Sequence, residues 1–287
     1  DYRLGDVRDS TSVERAMAGC DVVFHAAALK HVDFCECNPY EAIYTNVVGT
    51  QIVIDCAIKS RIARFVYVST DKAVNPISCM GATKLLGEKL TVSASGRSDI
   101  VKFSCVRFGN VLGSRGSVLH IFERQVRHGI SMTVTDPEMT RFIMLPLEAA
   151  RLILHAAEKA RSGQIFVLKM RAVKIGDLAD VSREFFARLF GKDPSRIRIR
   201  LLGANPGEKL HEELMTATEA FRAHAKDDFY IISKDLKTGK LSARRSLPVL
   251  ASNSVPMLRK NEIASLLSAL YERKATPTSR LHVRTGD

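Results

Sequence analysis

The sequence predicts an α/β chain: a Rossmann-like doubly wound parallel sheet, incomplete at its N-terminus, with a smaller C-terminal α/β substrate lobe. Three observations predict it. Short β-rich runs alternate with longer helical patterns, as happens when helices cover both faces of a parallel sheet. With 46% hydrophobic residues in 287, the chain can bury a substantial core. From about Asp136 onward the alternation loosens, which places a nucleotide-binding domain over 1–135 and a mainly substrate-binding lobe, with a C-terminal helix and tail, over 136–287.

Taken in order, "LGDVRD" reads as the end of a strand in the middle of the sheet, and "DVVFHAAA" (21–28) as an apolar strand running into small residues. Pro39 can open the next helix, in which Ile43, Val47, Ile54 and Ala57 recur at the spacing of one buried face. "RFVYVST" (64–70) is a strand, followed by a helix over 81–94 and the strand "IVKFSCVRF" (100–108). Helices are expected over 117–128 and 146–160, then the strand "QIFVLKM" (164–170). "IGDLADVSREFFARLFG" is amphipathic at helical period, and "RIRIRLLG" alternates as a strand does. Ile263, Leu266, Leu267 and Leu270 make a last helix with Asn261 available as its cap, and the polar stretch after Tyr271 is expected to fray.

Charge and cysteine usage narrow the class. Of the net charge of +12, Lys234 to Asp287 carries +7 (eleven Lys or Arg against four Asp or Glu), so the rest of the chain is only mildly basic. Without zinc-finger spacing or an aromatic-rich basic strand, the charge reads as solvated surface that attracts an acidic substrate, and no nucleic-acid partner is expected. The six cysteines lie within the first 105 residues without disulfide-framework spacing. "CEC" (Cys35, Cys37) has no second pair to complete a tetrahedral site, so no metal is expected. No apolar run approaches the roughly 20 residues that span a bilayer and no signal-peptide pattern opens the chain, so a cytoplasmic protein without a membrane partner is expected.

No G-x-G-x-x-G joins a strand to a helix here, although that backbone cradle is what holds a dinucleotide pyrophosphate. Because the chain opens at Asp1, the expectation is that the first β-α-β unit is missing, the other reading being a sheet that begins here. Doubly wound sheets bind ligands at the carboxyl ends of their strands. That singles out Asp6 and Val7, then 26–31, then 69–72, then 108–118. Among these, Asp71 and Lys72 follow "VST" directly, just ahead of Met80 and Lys84, which share a helix face at i, i+4. Taken alone, an aspartate and lysine after a strand are an ordinary helix start; in this context they read as an acid and a base.

The segments "GDVRD", "HAAALKHV", "TNVVGT", "STDKAVNP", "MGATK", "RFGNVLGSRGSV", "TDPEMTRF" and "PGEKLHEEL" together resemble an extended short-chain dehydrogenase/reductase. The chain is most similar to the inverting UDP-N-acetylglucosamine 4,6-dehydratases of the polysaccharide biosynthesis family, over roughly Leu4 to Leu270. In that family the sugar is oxidised at C4 with hydride passing to NADP⁺, and the new ketone acidifies the C5 proton. Water is lost from C6, hydride returns to C6 and a proton arrives on the opposite face of C5.

The resemblance implies catalytic roles for Thr70 at the C4 hydroxyl and for Asp71 and Lys72 in the elimination, with burial offsetting the lysine's preference for staying protonated. Met80 stands where most relatives carry the tyrosine of Y-x-x-x-K, and a thioether has no proton to trade. The Asp71-Lys72 pair, or water held by Lys84, would then handle that proton; the bland alternative is that Met80 fills core in a chain that has lost catalysis. Lys84 would grip the nicotinamide ribose. The resemblance further implies that Asp6 and Val7 border the adenine and that Ala26, Ala27 and Ala28 pass the cofactor backbone closely. Val68 and Ser69, together with Val111, Leu112, Gly113, Ser114 and Arg115, complete the cofactor set. Lys30, Asn110 and Val118 would meet the substrate sugar, and Arg141 and Glu208 the UDP. Asn46 reads as a helix-bending residue that positions water or backbone, and Lys209 and His211 as surface. The cofactor is NADP by resemblance, with NAD possible, and a homo-oligomer is expected. Two other functions stay open: a UDP-sugar 4-epimerase or reductase, which needs the tyrosine and not the Asp-Lys pair, and a non-catalytic remnant.

Overall fold

A computed structural model describes residues 1–234 and 247–275 of the chain. Its centre is a six-stranded sheet in the order β1-β2-β3-β7-β11-β10. β1 (Val22–His25), β2 (Arg64–Thr70), β3 (Lys102–Phe108) and β7 (Gln164–Leu168) run parallel; β11 (Phe229–Ile232) is antiparallel to β7, and β10 (Ala223–Lys226) to β11. The closing hairpin lay outside the sequence expectations.

Strand alternation sends side chains to both faces of this sheet. Phe65, Tyr67, Phe103 and Cys105 enter a core shared with α1 (Ser10–Met17) and α4 (Gly49–Lys59), while Val66, Val106 and Phe166 meet Leu152 and Ala156 of α7 (Pro146–Lys159) on the other side. A second core forms the smaller lobe. There α6 (Val118–Arg127), β5 (Met132–Val134), β8 (Arg171–Lys174), α8 (Ile175–Leu189) and α10 (Lys260–Ala275) enclose Leu119, Phe122, Val134, Val173, Phe186 and Leu267. β5 pairs with β9 (Ile199–Leu201), the short part of "RIRIRLLG" that becomes strand, and β6 (Thr140–Met144) lies between β4 (Asn110–Val111) and β8. Chain position does not divide the two bodies at residue 135: β7 and the β10-β11 hairpin come after it yet complete the large sheet, and α6 comes before it yet packs in the lobe.

Three local expectations are corrected. Residues of "LGDVRD" form no strand; Leu4 is fully exposed, and Asp9 caps α1 by accepting the Thr11 N–H at 3.0 Å. Ile43 is exposed because a π-helical turn, Tyr44–Val48, separates α3 (Pro39–Ile43) from α4 and breaks the 3.6-residue register on which a single buried face depends. Asn261 lies inside the first turn of α10, and the Glu262 carboxylate accepts the Arg259 N–H at 2.8 Å in place of a cap. α10 continues past Tyr271, and the rest of the expected polar tail falls outside the described residues. At the open edge of the sheet, β1 leaves Val22 and Phe24 exposed.

Candidate active site

The carboxyl ends of β1, β2 and β3 open onto a cleft of about 460 Å³ between the sheet and the lobe. Its sheet side is Ala26, Ala28 and Lys30 after β1, Val68, Ser69 and Thr70 of β2, and Lys72; its lobe side includes Val118, Leu119, Ile175 and Leu178. Asn110, Val111, Leu112 and Ser114 cross between them, and Met80 and Lys84 reach it from α5 (Cys79–Ala94).

At the end of β2 the chain turns sharply through a 3₁₀ segment, Asp71–Ala73. Gly81 makes this possible from the facing helix, because a Cβ there would overlap the Lys72 carbonyl oxygen. Ser78 caps α5 by accepting the Gly81 N–H at 3.1 Å. Asp71 is fully buried, and its Oδ1 accepts from the Thr70 hydroxyl at 2.9 Å and from Lys72 Nζ at 3.1 Å. Lys72 Nζ also lies 3.2 Å from Glu212 Oε1 and 3.4 Å from Asn110 Oδ1. Glu212, 2% exposed, did not figure among the residues expected from the sequence. A signal for it exists: in extended chain, i and i+2 share a face, and Leu214 is buried beside it.

Burial pulls the Lys72 ammonium towards its neutral form, Asp71 and Glu212 oppose this and Arg141 assists it; the net shift is upward. The expectation that burial offsets the preference for the charged form is therefore corrected: two carboxylates outweigh it. Lys72 is thus held as a positive charge on the lining of the cleft. Lys84 behaves in the opposite way. Buried without a carboxylate hydrogen-bonded to it, it donates to the Val68 carbonyl, sits 4.4 Å from the centre of the Tyr67 ring and is brought down to about 8 by burial. His25, next to it, is brought down to about 4 by burial and then by the Lys84 charge, and pairs with the Thr50 hydroxyl at 2.9 Å.

Met80 is 4% exposed and packs with Cys35 and Ala42. Asn46 stands in the π turn, accepts the Leu29 N–H at 2.7 Å and donates to the Leu29 carbonyl at 2.9 Å and Thr83 Oγ1 at 3.0 Å, so it positions backbone next to the cleft, as its sequence context suggested.

Several expected residues do not line the cleft. Asp6 is exposed and paired with Arg8 at 2.7 Å, and Val7 packs against the core next to Gly49. Ala27 is exposed; Gly113, at φ +71°, is set against Leu270 of α10; Arg115 offers its carbonyl to Lys30. Arg141 is buried, donating to the carbonyls of Thr140 (2.8 Å) and Leu210 (3.2 Å), with Nε 3.9 Å from Glu212 Oε1. Glu208 accepts from the Asn205 N–H at 3.3 Å within its own loop. Lys209, expected at the surface, donates instead to the Val74 carbonyl at 2.6 Å, and His211 Nδ1 meets Thr140 Oγ1 at 2.8 Å.

A dinucleotide's nicotinamide and ribose fit the residues present. Two alanines keep the floor beyond β1 low, Lys84 supplies a buried cation, and the cleft-lining Ser69 Oγ and Ser117 Oγ have no hydrogen-bond partner among the described residues. Among those residues no three His, Cys, Asp or Glu gather as a metal site, and no helix is long and apolar enough to cross a membrane.

Comparison with known proteins agrees with this architecture. A Methanocaldococcus jannaschii protein named as an uncharacterized membrane protein is 49% identical over 232 residues, 80% of this chain and 69% of that protein. A Rickettsia canadensis protein named UDP-glucose 4-epimerase is 44% identical over 236 residues, 82% of this chain and 67% of the relative. The X-ray structure of Pen from Bacillus thuringiensis superposes with a TM-score of 0.88 at 40% identity, covering 94% of this chain and 81% of that one. The fold is thus Rossmann-like, of the extended short-chain dehydrogenase/reductase type. Residues 2–234 match the family model described as polysaccharide biosynthesis protein, and the chain belongs to that family.

Proposed function

We propose that the protein catalyses NADP-dependent 4,6-dehydration of UDP-N-acetylglucosamine with inversion at C5, in the cytosol and as a homo-oligomer. The product is a UDP-4-keto-6-deoxyhexosamine for surface polysaccharide or glycoprotein sugars. One observation carries the reading: Lys72, on the cleft lining with Thr70 and Met80, is paired with the fully buried Asp71 behind it, where Met80 provides no phenol. Oxidation and return of hydride at C4 asks only that one proton be taken and returned, for which Asp71 suffices, whereas loss of a hydroxyl also needs a proton delivered to C6 and one removed from C5, which gives Lys72 a use.

The dinucleotide, when bound, supplies the hydride acceptor and donor. Lys84, Ala26, Ala28, Val68, Ser69, Val111, Leu112 and Ser114 would hold it, with Asp6, Val7, Ala27, Gly113 and Arg115 further out. A sugar hydroxyl seated on Thr70 can release its proton through Thr70 Oγ1 to Asp71 Oδ1, 2.9 Å away, without a tyrosine. Lys72, protonated beside Asn110, gives its proton to the departing C6 hydroxyl and, left neutral, takes the proton from C5. Lys30, Asn110 and Val118 would orient the sugar, and Arg141 and Glu208 the UDP.

A second reading, UDP-sugar 4-epimerase, is favoured by the name of the Rickettsia relative. One incubation separates the two: UDP-N-acetylglucosamine with NADP⁺ in heavy water, followed by mass spectrometry and NMR. Loss of water with deuterium at C5 is expected. Inversion at C4 without loss of water gives the epimerase, and unchanged substrate a non-catalytic chain.

A further inference from the structure

Lys72 carries its proton against the cost of burial, and the second of its two anionic partners has no role in the reading above. We propose that Glu212 is a positioning residue of this site: from beneath Lys72 it holds the ammonium in line with Asp71 and the cleft and keeps it protonated, so that Lys72 serves as the acid.

The geometry assigns Glu212 to this task and not to general stability. A carboxylate 2% exposed is costly unless paired, and the charges facing this one are Lys72 Nζ at 3.2 Å and Arg141 Nε at 3.9 Å. Its second oxygen, Oε2, is buried and has no hydrogen-bond partner among the described residues. The backbone is clamped independently of the carboxylate: the Glu212 N–H donates to Ser252 Oγ at 2.9 Å and the Ser252 N–H returns to the Glu212 carbonyl at 2.8 Å. The adjacent glutamate goes elsewhere, Glu213 accepting from Asn75 at 2.8 Å and lying 3.9 Å from Lys209. Two neighbouring carboxylates are thus divided between the surface and the site.

Electrostatic balance gives the consequence. The charged groups that act on Lys72 are Asp71 and Glu212, which hold its proton, and Arg141, which repels it; with Lys72 they sum to zero. Without Glu212, two cations would share one carboxylate, and Lys72 would lose its proton more readily.

The test is titration of Lys72 by NMR on protein carrying carbon-13 lysine, the signal being assigned as the one lost in Lys72→Arg. In Glu212→Gln, which keeps the shape, the Lys72 midpoint is expected to fall by about one to three units. The Lys84 midpoint near 8, which does not depend on Glu212, should stay in place. An unmoved Lys72 midpoint, or Lys72 and Lys84 moving together as in a general loosening, overturns the proposal. Should Glu212→Gln not fold, Glu212→Asp retracts the charge by one methylene and should lower the same midpoint by less; no fall there is equally decisive against it. Only the catalytic half rests on the dehydratase reading: the alkaline limb of the pH profile of kcat/KM should move to lower pH with the midpoint. A shifted midpoint with an unmoved limb overturns the role as acid. Absence of any UDP-sugar turnover in the wild type defeats the functional reading while the titration still decides on Glu212.

Discussion

Lys72 and Lys84 are both largely buried lysines on one cleft, and their neighbours send them in opposite directions. Asp71 and Glu212 hold the first as an ammonium, while burial without a hydrogen-bonded carboxylate brings the second to about 8. For the first, Lys72→Met should lower kcat for dehydration by about 10²–10⁴, the range for a lost proton-transfer group, measured by single-turnover product formation. For the second, the sign follows from linkage. Its folded value lies below the unfolded value of 10.5, so between about pH 8 and 10.5 the unfolded chain binds the extra proton and this residue's contribution to stability rises with pH. Below pH 8 the full cost of burying the charge is present, about 3 kcal/mol at 1.36 kcal/mol per unit. Lys84→Met should therefore show its greatest gain over the wild type below pH 8, and that gain should vanish above pH 10.5 in urea unfolding series. A difference that is flat with pH would contradict the assignment.

At the scale of elements, the site depends on how closely α5 approaches the turn after β2. Gly81 faces the Lys72 carbonyl, so Gly81→Ala must push the helix away from the catalytic turn. Overpacking of this kind costs about 1–3 kcal/mol, and the displaced Lys72 should make kcat fall further than the thermal shift alone explains. The same helix is tied to the sheet by Arg107 of β3, whose guanidinium pairs with Glu88 of α5 at 2.6 Å and with Glu219 of α9 (Ala217–Arg222) at 3.1 Å, all three buried. Arg107→Leu leaves two uncompensated buried carboxylates and should destabilise by about 3–5 kcal/mol in chemical unfolding. Replacing Glu88 and Glu219 by apolar residues in that background should recover part of the loss.

Across the whole molecule, local pattern revealed the parallel strands and the long helices because each is specified by its own run of residues, as "RFVYVST" and "IVKFSCVRF" are. What it did not reveal depends on distant partners. The β10-β11 hairpin is two four-residue strands defined by pairing with β7, and β9 exists through β5, far behind it in the chain. The Asp71-Lys72 pair was legible from its place after a strand and Lys84 from its i, i+4 spacing to Met80, whereas for Glu212 the sequence held only the i, i+2 relation to Leu214, and the backbone clamp to Ser252 fixes which of two adjacent glutamates turns inward. The cleft likewise belongs to no single element. Its walls come from the sheet and the lobe, and the lobe's α10 backs the 110–114 crossing from outside the cleft through Leu270, whose Cδ2 lies 2.7 Å from where a Gly113 Cβ would stand, at a residue with φ +71°. A ligand filling the cleft must bind both bodies at once, so it should stabilise the fold as one unit, by about 2.7 kcal/mol at a concentration of 100 Kd. Gly113→Val forces a branched side chain into left-handed backbone and against Leu270, which should wedge the lobe from the cleft wall. The variant is expected to unfold at lower temperature and to lose most of the rise in Tm that NADP⁺ and UDP-N-acetylglucosamine together give the wild type in differential scanning calorimetry. A rise in Tm preserved in full would show that the two walls bind independently of that contact.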